Sequence, residues 1–115
     1  MLFLCYPKCT TCQRAKDWLD ERNIPYTLRN IKEDRPTYAE LEAWHSQSGL
    51  PLRRFFNTSG LAYKALALKD KLDSMSEAEQ LSLLATDGML VKRPIFVGDG
   101  FTLIGFKEDE WTKRL

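Results

Sequence analysis

The fold is decided by one stretch near the start of the chain, Leu2-Phe3-Leu4-Cys5-Tyr6-Pro7-Lys8-Cys9-Thr10-Thr11-Cys12-Gln13-Arg14-Ala15. Its first five residues are mostly apolar, which predicts a buried strand, and the residues after Thr11 have the spacing of an amphipathic helix. Cys9 and Cys12 therefore stand at a strand-to-helix junction, one helical turn apart. A Cys-x-x-Cys motif in this position is typical of thiol–disulfide exchange.

The sequence predicts different roles for these two cysteines. Cys9 would face the unpaired backbone N–H groups at the positive end of the helix, with the cation of Lys8 beside it. Because the thiolate is the nucleophile in disulfide exchange, this placement predicts that Cys9 is the attacking thiol. Cys12 falls on the same helical stripe as Ala15 and Leu19, so we expect it to be buried and to act as the resolving thiol.

Half of a zinc site and a pair of cysteines without function are the alternatives to a redox pair. Structural zinc usually takes four ligands, and the chain has only one further cysteine, Cys5, and one histidine, His45. Cys5 is predicted in a strand, and His45 in a different helical segment. We therefore predict no metal site and no bound cofactor, and we favour the redox pair.

Length and composition predict a single domain over residues 1–115. The 17 basic and 16 acidic residues are interspersed and give a net charge of +1. The sequence therefore shows no excess of positive charge of the kind that direct binding to nucleic acid requires. No apolar run is long enough for a membrane span, and the start lacks the features of a signal peptide. Because an odd number of cysteines argues against a secreted disulfide framework, we expect a cytoplasmic protein.

The remaining periodicity predicts the order β-α-β, then helices, then β-β-α. A helix capped by Thr10 or Thr11 would join the first strand to a second at Tyr26–Asn30, which implies a parallel pair. Residues 37–88 are predicted as a helical insertion that includes one helix over Leu61–Leu72. Thr37 with Glu40, and Ser76 with Glu79, are predicted to form capping boxes at two of its helix starts. At the C-terminal end, turn and strand signals predict a hairpin, followed by a short helix over Glu108–Arg114. The fold class is therefore α/β, with a thioredoxin-like mixed sheet.

Pro94 stands in Lys92-Arg93-Pro94-Ile95, directly before the third predicted strand. Proline is tolerated at the first residue of a strand. A cis peptide bond at this position would turn a backbone edge toward the cysteines. The sequence alone leaves both isomers open, and a trans proline at a strand start is the alternative, but the predicted layout favours cis, which we therefore predict.

The Cys-x-x-Cys segment, the second strand, the segment around Pro94 and the C-terminal end together resemble the arsenate-reductase-like family, the ArsC/Spx/YffB group of thioredoxin-fold proteins. The resemblance implies that Cys9 is the reactive cysteine. It also implies that Arg93, before the cis proline, binds an oxyanion or steers the thiolate. A guanidinium suits the first task because it can donate two hydrogen bonds to one oxyanion. The resemblance covers nearly the whole chain and rests on residues 6–15, 23–26, 92–97 and 105–110.

The remaining predicted substrate-binding residues are Lys8, Thr10, Thr11, Asn57 and Pro94. In this resemblance, Asn57 and the region of Phe106 fall where glutaredoxin-coupled arsenate reductases carry two further arginines. Each missing guanidinium removes a charge-assisted hydrogen bond of about 1.5–3 kcal/mol, which predicts weak binding of arsenate.

Two functions follow from these observations. The first is a cytoplasmic thiol–disulfide oxidoreductase that uses Cys9 and Cys12 on a thiol or oxyanion small molecule or on a redox protein. The resemblance implies glutathione or a thioredoxin/glutaredoxin-type protein as the electron donor and co-substrate. The alternative is an Spx-type redox-sensing regulator that docks on the RNA polymerase α-subunit, with Gly49 as an approximate match to a glycine that contributes to docking.

Overall fold

A four-stranded mixed sheet forms the centre of the structure, a computed structural model that describes residues 1–115. The strand order is β2-β1-β3-β4, in which β1 pairs parallel with β2 and antiparallel with β3, and β3 forms a hairpin with β4. This arrangement confirms the predicted parallel pair and hairpin in one sheet. The strands are β1 Leu2–Cys5, β2 Thr27–Asn30, β3 Ile95–Val97 and β4 Thr102–Ile104.

Helices cover both faces of this sheet. Those between β2 and β3 form the predicted insertion, and the last helix has the predicted bounds. None of the helices combines the length and the apolar character needed to cross a bilayer. The α-helices are α1 Thr10–Glu21, α2 Tyr38–Ser48, α3 Leu61–Ala65, α4 Leu68–Lys71, α5 Glu77–Leu84 and α6 Glu108–Arg114, with short 3-10 turns at Leu52–Phe55, Leu72–Ser74 and Gly88–Leu90.

The sheet divides the core into two layers, because alternate residues of a strand face opposite sides. Phe3 and Cys5 of β1 face α1 and α6, where they pack in one cluster with Cys12 and Trp111. Leu4 lies between them in sequence and packs in the other layer, against the inserted helices. The end of β1 therefore brings Cys5 to the same side of the sheet as the Cys-x-x-Cys helix.

The start of α1 differs from the sequence prediction. Cys9, and neither Thr10 nor Thr11, is the N-cap residue, with extended φ and ψ of −88° and 122°. Its carbonyl accepts the N–H of Gln13 at 3.1 Å, so the helical hydrogen bonds already begin at residue 9. Its side chain makes no capping hydrogen bond, so the sulfur is not engaged in closing the helix end.

The stretch Leu61–Leu72 is not one helix, and this prediction was wrong. Ala67 has a left-handed φ of 52°, and it separates α3 from α4. In a continuous helix Leu68 would lie about 140° around the axis from Tyr63, yet both side chains are buried in the same cluster. Burying a leucine is worth about 1.5–3 kcal/mol, which offsets the cost of about 1–2 kcal/mol for one left-handed residue.

Two of the inserted helices begin with a capping box, in which an N-cap hydroxyl and a glutamate three residues later each accept a hydrogen bond from the other residue's backbone N–H. Thr37 and Glu40 form this capping box in α2, and Ser76 and Glu79 form it in α5, as the sequence predicts. Glu40 also accepts two hydrogen bonds from the Arg29 guanidinium of β2, at 2.6 and 2.9 Å. This bidentate pair fastens the insertion to the edge of the sheet.

Replacing Arg29 by methionine is expected to lower the free energy of unfolding by about 1 kcal/mol near pH 7, at the upper end for a partly exposed pair. The Arg29 guanidinium holds the pKa of Glu40 below its usual value. Such a carboxyl stabilises the fold above its unfolded pKa of about 4.3, and this contribution is lost as the pH falls through the folded pKa. Urea denaturation should therefore show a smaller effect at an acidic pH, below the folded pKa of Glu40, than near pH 7. A destabilisation that is the same at both pH values would contradict this account.

Candidate functional site

The sulfur of Cys9 opens onto a cavity of about 440 Å³ at the N-terminal end of α1. Cys9 is half-buried and lies in extended backbone between β1 and the helix. Thr11, Asn57 and Arg93 also line the cavity. The structure thus brings together three of the residues that the sequence singled out around the predicted attacking thiol, although they come from the start, the middle and the last quarter of the chain.

Cys12 lies behind Cys9 and is fully buried, as its place on the apolar stripe of α1 predicts. Its Sγ accepts the backbone N–H of Tyr6 at 3.3 Å. The hydrogen bond that its thiol makes with Cys5, together with burial, raises the pKa of Cys12 well above its usual range. All three cysteines are free thiols in this structure. A second sulfur therefore stands within the protein, shielded from solvent, beside the exposed one.

Arg93 precedes Pro94 through a cis peptide bond, which confirms the predicted isomer. Its guanidinium lies over the Tyr6 ring, 5.2 Å from the centroid. Two of its nitrogens, Nε and Nη1, are buried and have no hydrogen-bond partner. Because buried donors are nearly always paired, these N–H groups indicate that Arg93 is shaped for an acceptor other than the protein's own side chains.

The walls of the cavity carry positive charge and no carboxylate. Arg54, Lys92 and Lys107 line it together with Arg93. None of these four cations forms an ion pair with an Asp or Glu side chain. Cations that share a concave site and lack internal counter-ions raise the local concentration of anionic ligands. The cavity is therefore suited to a ligand that carries negative charge close to the Cys9 sulfur.

Sequence reasoning missed three of these cations. Each is next to or near a residue that was singled out: Lys92 precedes Arg93, Lys107 follows Phe106, and Arg54 lies three residues before Asn57. That proximity was the available signal. It was weak, because net charge is balanced over the whole chain and only the fold concentrates positive charge at one place.

The other predicted substrate-binding residues lie at different distances from the cavity. Lys8 and Thr10 are exposed at the start of α1 and do not line it. Pro94 is buried next to Arg93 and does not line it either. Thr11 and Asn57 do line it. The roles assigned to all five in substrate binding stay predictions.

Asn57 and Phe106, which stand where the resemblance places arginines, both lie in the cavity wall. Asn57 is buried, and its backbone N–H donates to the Leu90 carbonyl at 2.8 Å. Phe106 packs edge-on against Trp18 and Trp111. Neither side chain supplies charge, so apart from Arg93 the positive charge of the cavity comes from positions other than those in the pattern of the arsenate reductases.

Comparison with known proteins gives matches along nearly the whole chain. A model described as the ArsC family matches residues 4–114. The uncharacterized protein YusI of Bacillus subtilis is 50% identical over 114 residues, a match that covers 99% of this chain and 97% of YusI. The global transcriptional regulator Spx of Staphylococcus epidermidis is 32% identical over 104 residues, covering 90% of this chain and 78% of Spx.

A solved structure shows the same backbone arrangement. The crystal structure of an ArsC family related protein from Bacteroides fragilis superposes with a TM-score of 0.96 at 59% identity. The superposition covers 97% of this chain and 94% of that chain. This agreement confirms the predicted α/β fold class and the order of its elements.

Proposed function

The chain belongs to the ArsC family, as the resemblance in its motifs implied, and from that premise we propose that it is a thiol–disulfide oxidoreductase acting on anionic disulfides. Cys9 is the attacking thiol and Cys12 the resolving thiol. Arg93 and the neighbouring cations hold the negatively charged groups of the substrate. The reducing cytoplasm is the compartment in which such a thiol pair would work.

One observation carries this proposal: the Cys9 sulfur shares its cavity with an arginine that has two buried, unpaired N–H groups. A buried donor without a partner costs about 1–3 kcal/mol. That cost is recovered when a carboxylate or another oxyanion of a ligand accepts these hydrogen bonds. Since the same ligand would then lie next to Cys9, binding and chemistry would be combined in one place.

The reaction proceeds in two exchanges. In the first, the Cys9 thiolate attacks one sulfur of the substrate disulfide, forms a mixed disulfide, and releases the other half as a thiolate. In the second, Cys12 loses its proton and attacks the Cys9 sulfur, which forms the Cys9–Cys12 disulfide and releases the remaining half of the substrate. Two electrons have then passed from the protein to the substrate. Two molecules of glutathione, or one thioredoxin- or glutaredoxin-type dithiol, return them as co-substrate.

A single-turnover reaction tests this proposal. The reduced protein, mixed with glutathione disulfide, is expected to release about two equivalents of glutathione and to gain an intramolecular disulfide that involves Cys12, because each disulfide exchange frees one thiol. Thiol counting and peptide mass spectrometry under non-reducing conditions measure both products. A protein that keeps its thiols at every tested concentration of glutathione disulfide would rule the proposal out.

Replacing Arg93 by methionine is expected to lower kcat/KM for glutathione disulfide about 10- to 100-fold, because one charge-assisted hydrogen bond is worth about 1.5–3 kcal/mol and about 1.4 kcal/mol is a factor of ten. The loss should shrink at high salt, which screens the attraction between Arg93 and the anionic substrate in the unmodified protein. Steady-state kinetics at two ionic strengths, with a thioredoxin-type dithiol as the electron donor, measure it.

Arg53 provides the matched control for this substitution. It is exposed, does not line the cavity, and pairs with Asp73 at 2.9 Å. Arg53→Met changes the net charge by the same amount but should leave kcat/KM within about twofold, because a surface ion pair is worth little. If both variants lost activity equally, the effect would be one of net charge, and a specific role for Arg93 would be excluded.

A redox-sensing regulator is the second candidate, favoured by the 32% identity to Spx. Gly49, which ends α2 in a left-handed conformation with φ of 67°, has no atom near the position of an added Cβ and so lies on an open surface. In this function the Cys9–Cys12 pair would change state without turnover, and the inserted helices would dock on the RNA polymerase α-subunit. A pull-down of that subunit with reduced and with oxidised protein tests it, and absence of binding in both states would remove it.

A further inference from the structure

Cys5 lies beside the buried sulfur of the redox pair, although the reaction above does not use it. It is the last residue of β1, and it faces the same side of the sheet as Phe3, the side covered by α1. The Cys12 Sγ is 3.3 Å from the backbone nitrogen of Tyr6, the atom bonded to the carbonyl carbon of Cys5. Cys5 and Cys12 belong to one packed cluster, and Cys9 packs against it.

Cys5 also borders a second cavity of about 430 Å³. Gln13 and Lys16 of α1 and Asn30 of β2 contribute to its wall. None of its lining residues is shared with the cavity at Cys9. The buried Cys12 therefore separates two cysteines, each of which lines a different cavity of the protein.

We propose that Cys5 is a third redox cysteine, which takes over the disulfide from Cys9 by attacking Cys12. The proposal rests on the proposed function for the supply of the Cys9–Cys12 disulfide. A new bond forms between the sulfurs of Cys5 and Cys12, the Cys9–Cys12 bond breaks, and Cys9 leaves as a thiolate. The Cys5 proton passes to solvent or to the departing sulfur. No electrons enter or leave the protein in this step, so it needs no further oxidant.

The surroundings of Cys5 favour this exchange. In the reduced protein, the hydrogen bond from the Cys12 thiol lowers the pKa of Cys5, and the positive charges of Lys16 and Arg93 act in the same direction. Once Cys12 is part of the disulfide its S–H is gone, and the positive charges of Lys16 and Arg93 still favour the Cys5 thiolate. A sulfur that ionises more readily is a better-populated nucleophile. The attack also starts from close neighbours, because Cys5 and Cys12 pack in one cluster and the Cys12 sulfur lies 3.3 Å from the backbone nitrogen that follows Cys5.

The exchange would have a clear consequence for the candidate site. Cys9 would recover its reduced form while the protein remained oxidised, so a second substrate could still form a mixed disulfide at Cys9. An external reductant would then meet a Cys5–Cys12 disulfide next to the second cavity. The two oxidised forms would thus differ in where the disulfide lies: the Cys9–Cys12 bond borders the cavity at Cys9, and the Cys5–Cys12 bond borders the second cavity.

Oxidation of the full-length Cys9→Ser variant tests the proposal directly. This variant keeps Cys5 and Cys12, and because Cys9 is half-buried at a helix start, serine should be accommodated there. Treatment with diamide, a thiol oxidant, is expected to reduce its free thiols from two to none and to yield a Cys5–Cys12 cross-linked peptide. A variant that keeps both thiols, or forms only dimers linked between chains, would overturn the proposal.

The Cys5→Ala variant separates this proposal from the proposed function. Oxidised by glutathione disulfide, this variant should form only the Cys9–Cys12 disulfide. The unmodified protein should give a mixture of molecules, some with the Cys9–Cys12 disulfide and others with the Cys5–Cys12 disulfide. If Cys5→Ala forms the Cys9–Cys12 disulfide but the unmodified protein shows no Cys5–Cys12 peptide, the exchange fails and the oxidoreductase remains. If neither protein forms a Cys9–Cys12 disulfide, the proposed function fails, and only the Cys9→Ser result then bears on whether Cys5 and Cys12 can join.

Discussion

Replacing Cys9 by serine is expected to lower the rate of glutathione disulfide reduction by a factor on the order of 10³ or more. A serine hydroxyl is not ionised near neutral pH, so it cannot replace the thiolate that starts the exchange. Cys12 cannot take its place, because its sulfur is fully buried and its pKa is raised by the contact with Cys5 and by burial. Release of glutathione measured under single-turnover conditions gives the ratio of rates.

Cys12→Ser is the comparison that distinguishes attack from resolution. In this variant Cys9 can still attack, so about one equivalent of glutathione should be released and one glutathionyl group should remain on Cys9. Mass spectrometry of the intact protein detects that adduct. If Cys9→Ser reacted as fast as the unchanged protein, or if the adduct in Cys12→Ser were found on Cys5, Cys9 would not be the attacking thiol.

Replacing Trp111 by alanine is expected to lower the free energy of unfolding by about 3–5 kcal/mol, the range for removing a large buried aromatic side chain. Trp111 is 0% exposed and packs against the rings of Phe3, Phe96 and Phe106. Its Nε1–H also donates to the Gly105 carbonyl at 3.0 Å. The substitution thus removes ring contacts with two strands and an internal hydrogen bond. Urea denaturation followed by circular dichroism measures the loss.

The same substitution should also weaken the reaction at Cys9. Trp111 holds Gly105 and Phe106, and both line the Cys9 cavity. Lys113→Ala, in the same helix but exposed, serves as the control and should change stability by less than about 0.5 kcal/mol. A loss below about 1 kcal/mol in Trp111→Ala would mean that α6 is not part of the folded core.

The pattern of apolar residues was sufficient to predict the strands, the first helix and the last. In the stretch from Leu2 to Glu21, the change from a short apolar run to helical spacing is a local property, and local properties can be read without knowing the fold. The capping boxes at Thr37 and Ser76 are local in the same way. The cis bond at Pro94 was predicted from its place in the expected layout, because the local sequence alone leaves both isomers open.

The inserted helices show where local patterns stop being enough. The periodicity of Leu61–Leu72 favours one helix, but the structure breaks it at Ala67 so that Leu68 can join the core. Nothing near Ala67 in sequence requires a left-handed residue there. The break is a consequence of packing against residues distant in sequence, such as Leu41 and Leu84 in the same cluster.

By itself, the sequence determined that a Cys-x-x-Cys stands between a buried strand and a helix, with Cys12 on the apolar side, because strand and helix periodicities act over a few neighbouring residues. Only the tertiary structure decided what surrounds those sulfurs. It placed Arg54, Lys92 and Lys107 at the cavity of Cys9, and it brought Cys5 against Cys12. Coulomb interactions and sulfur contacts depend on distance in space, and folding makes neighbours of residues that are far apart in the chain.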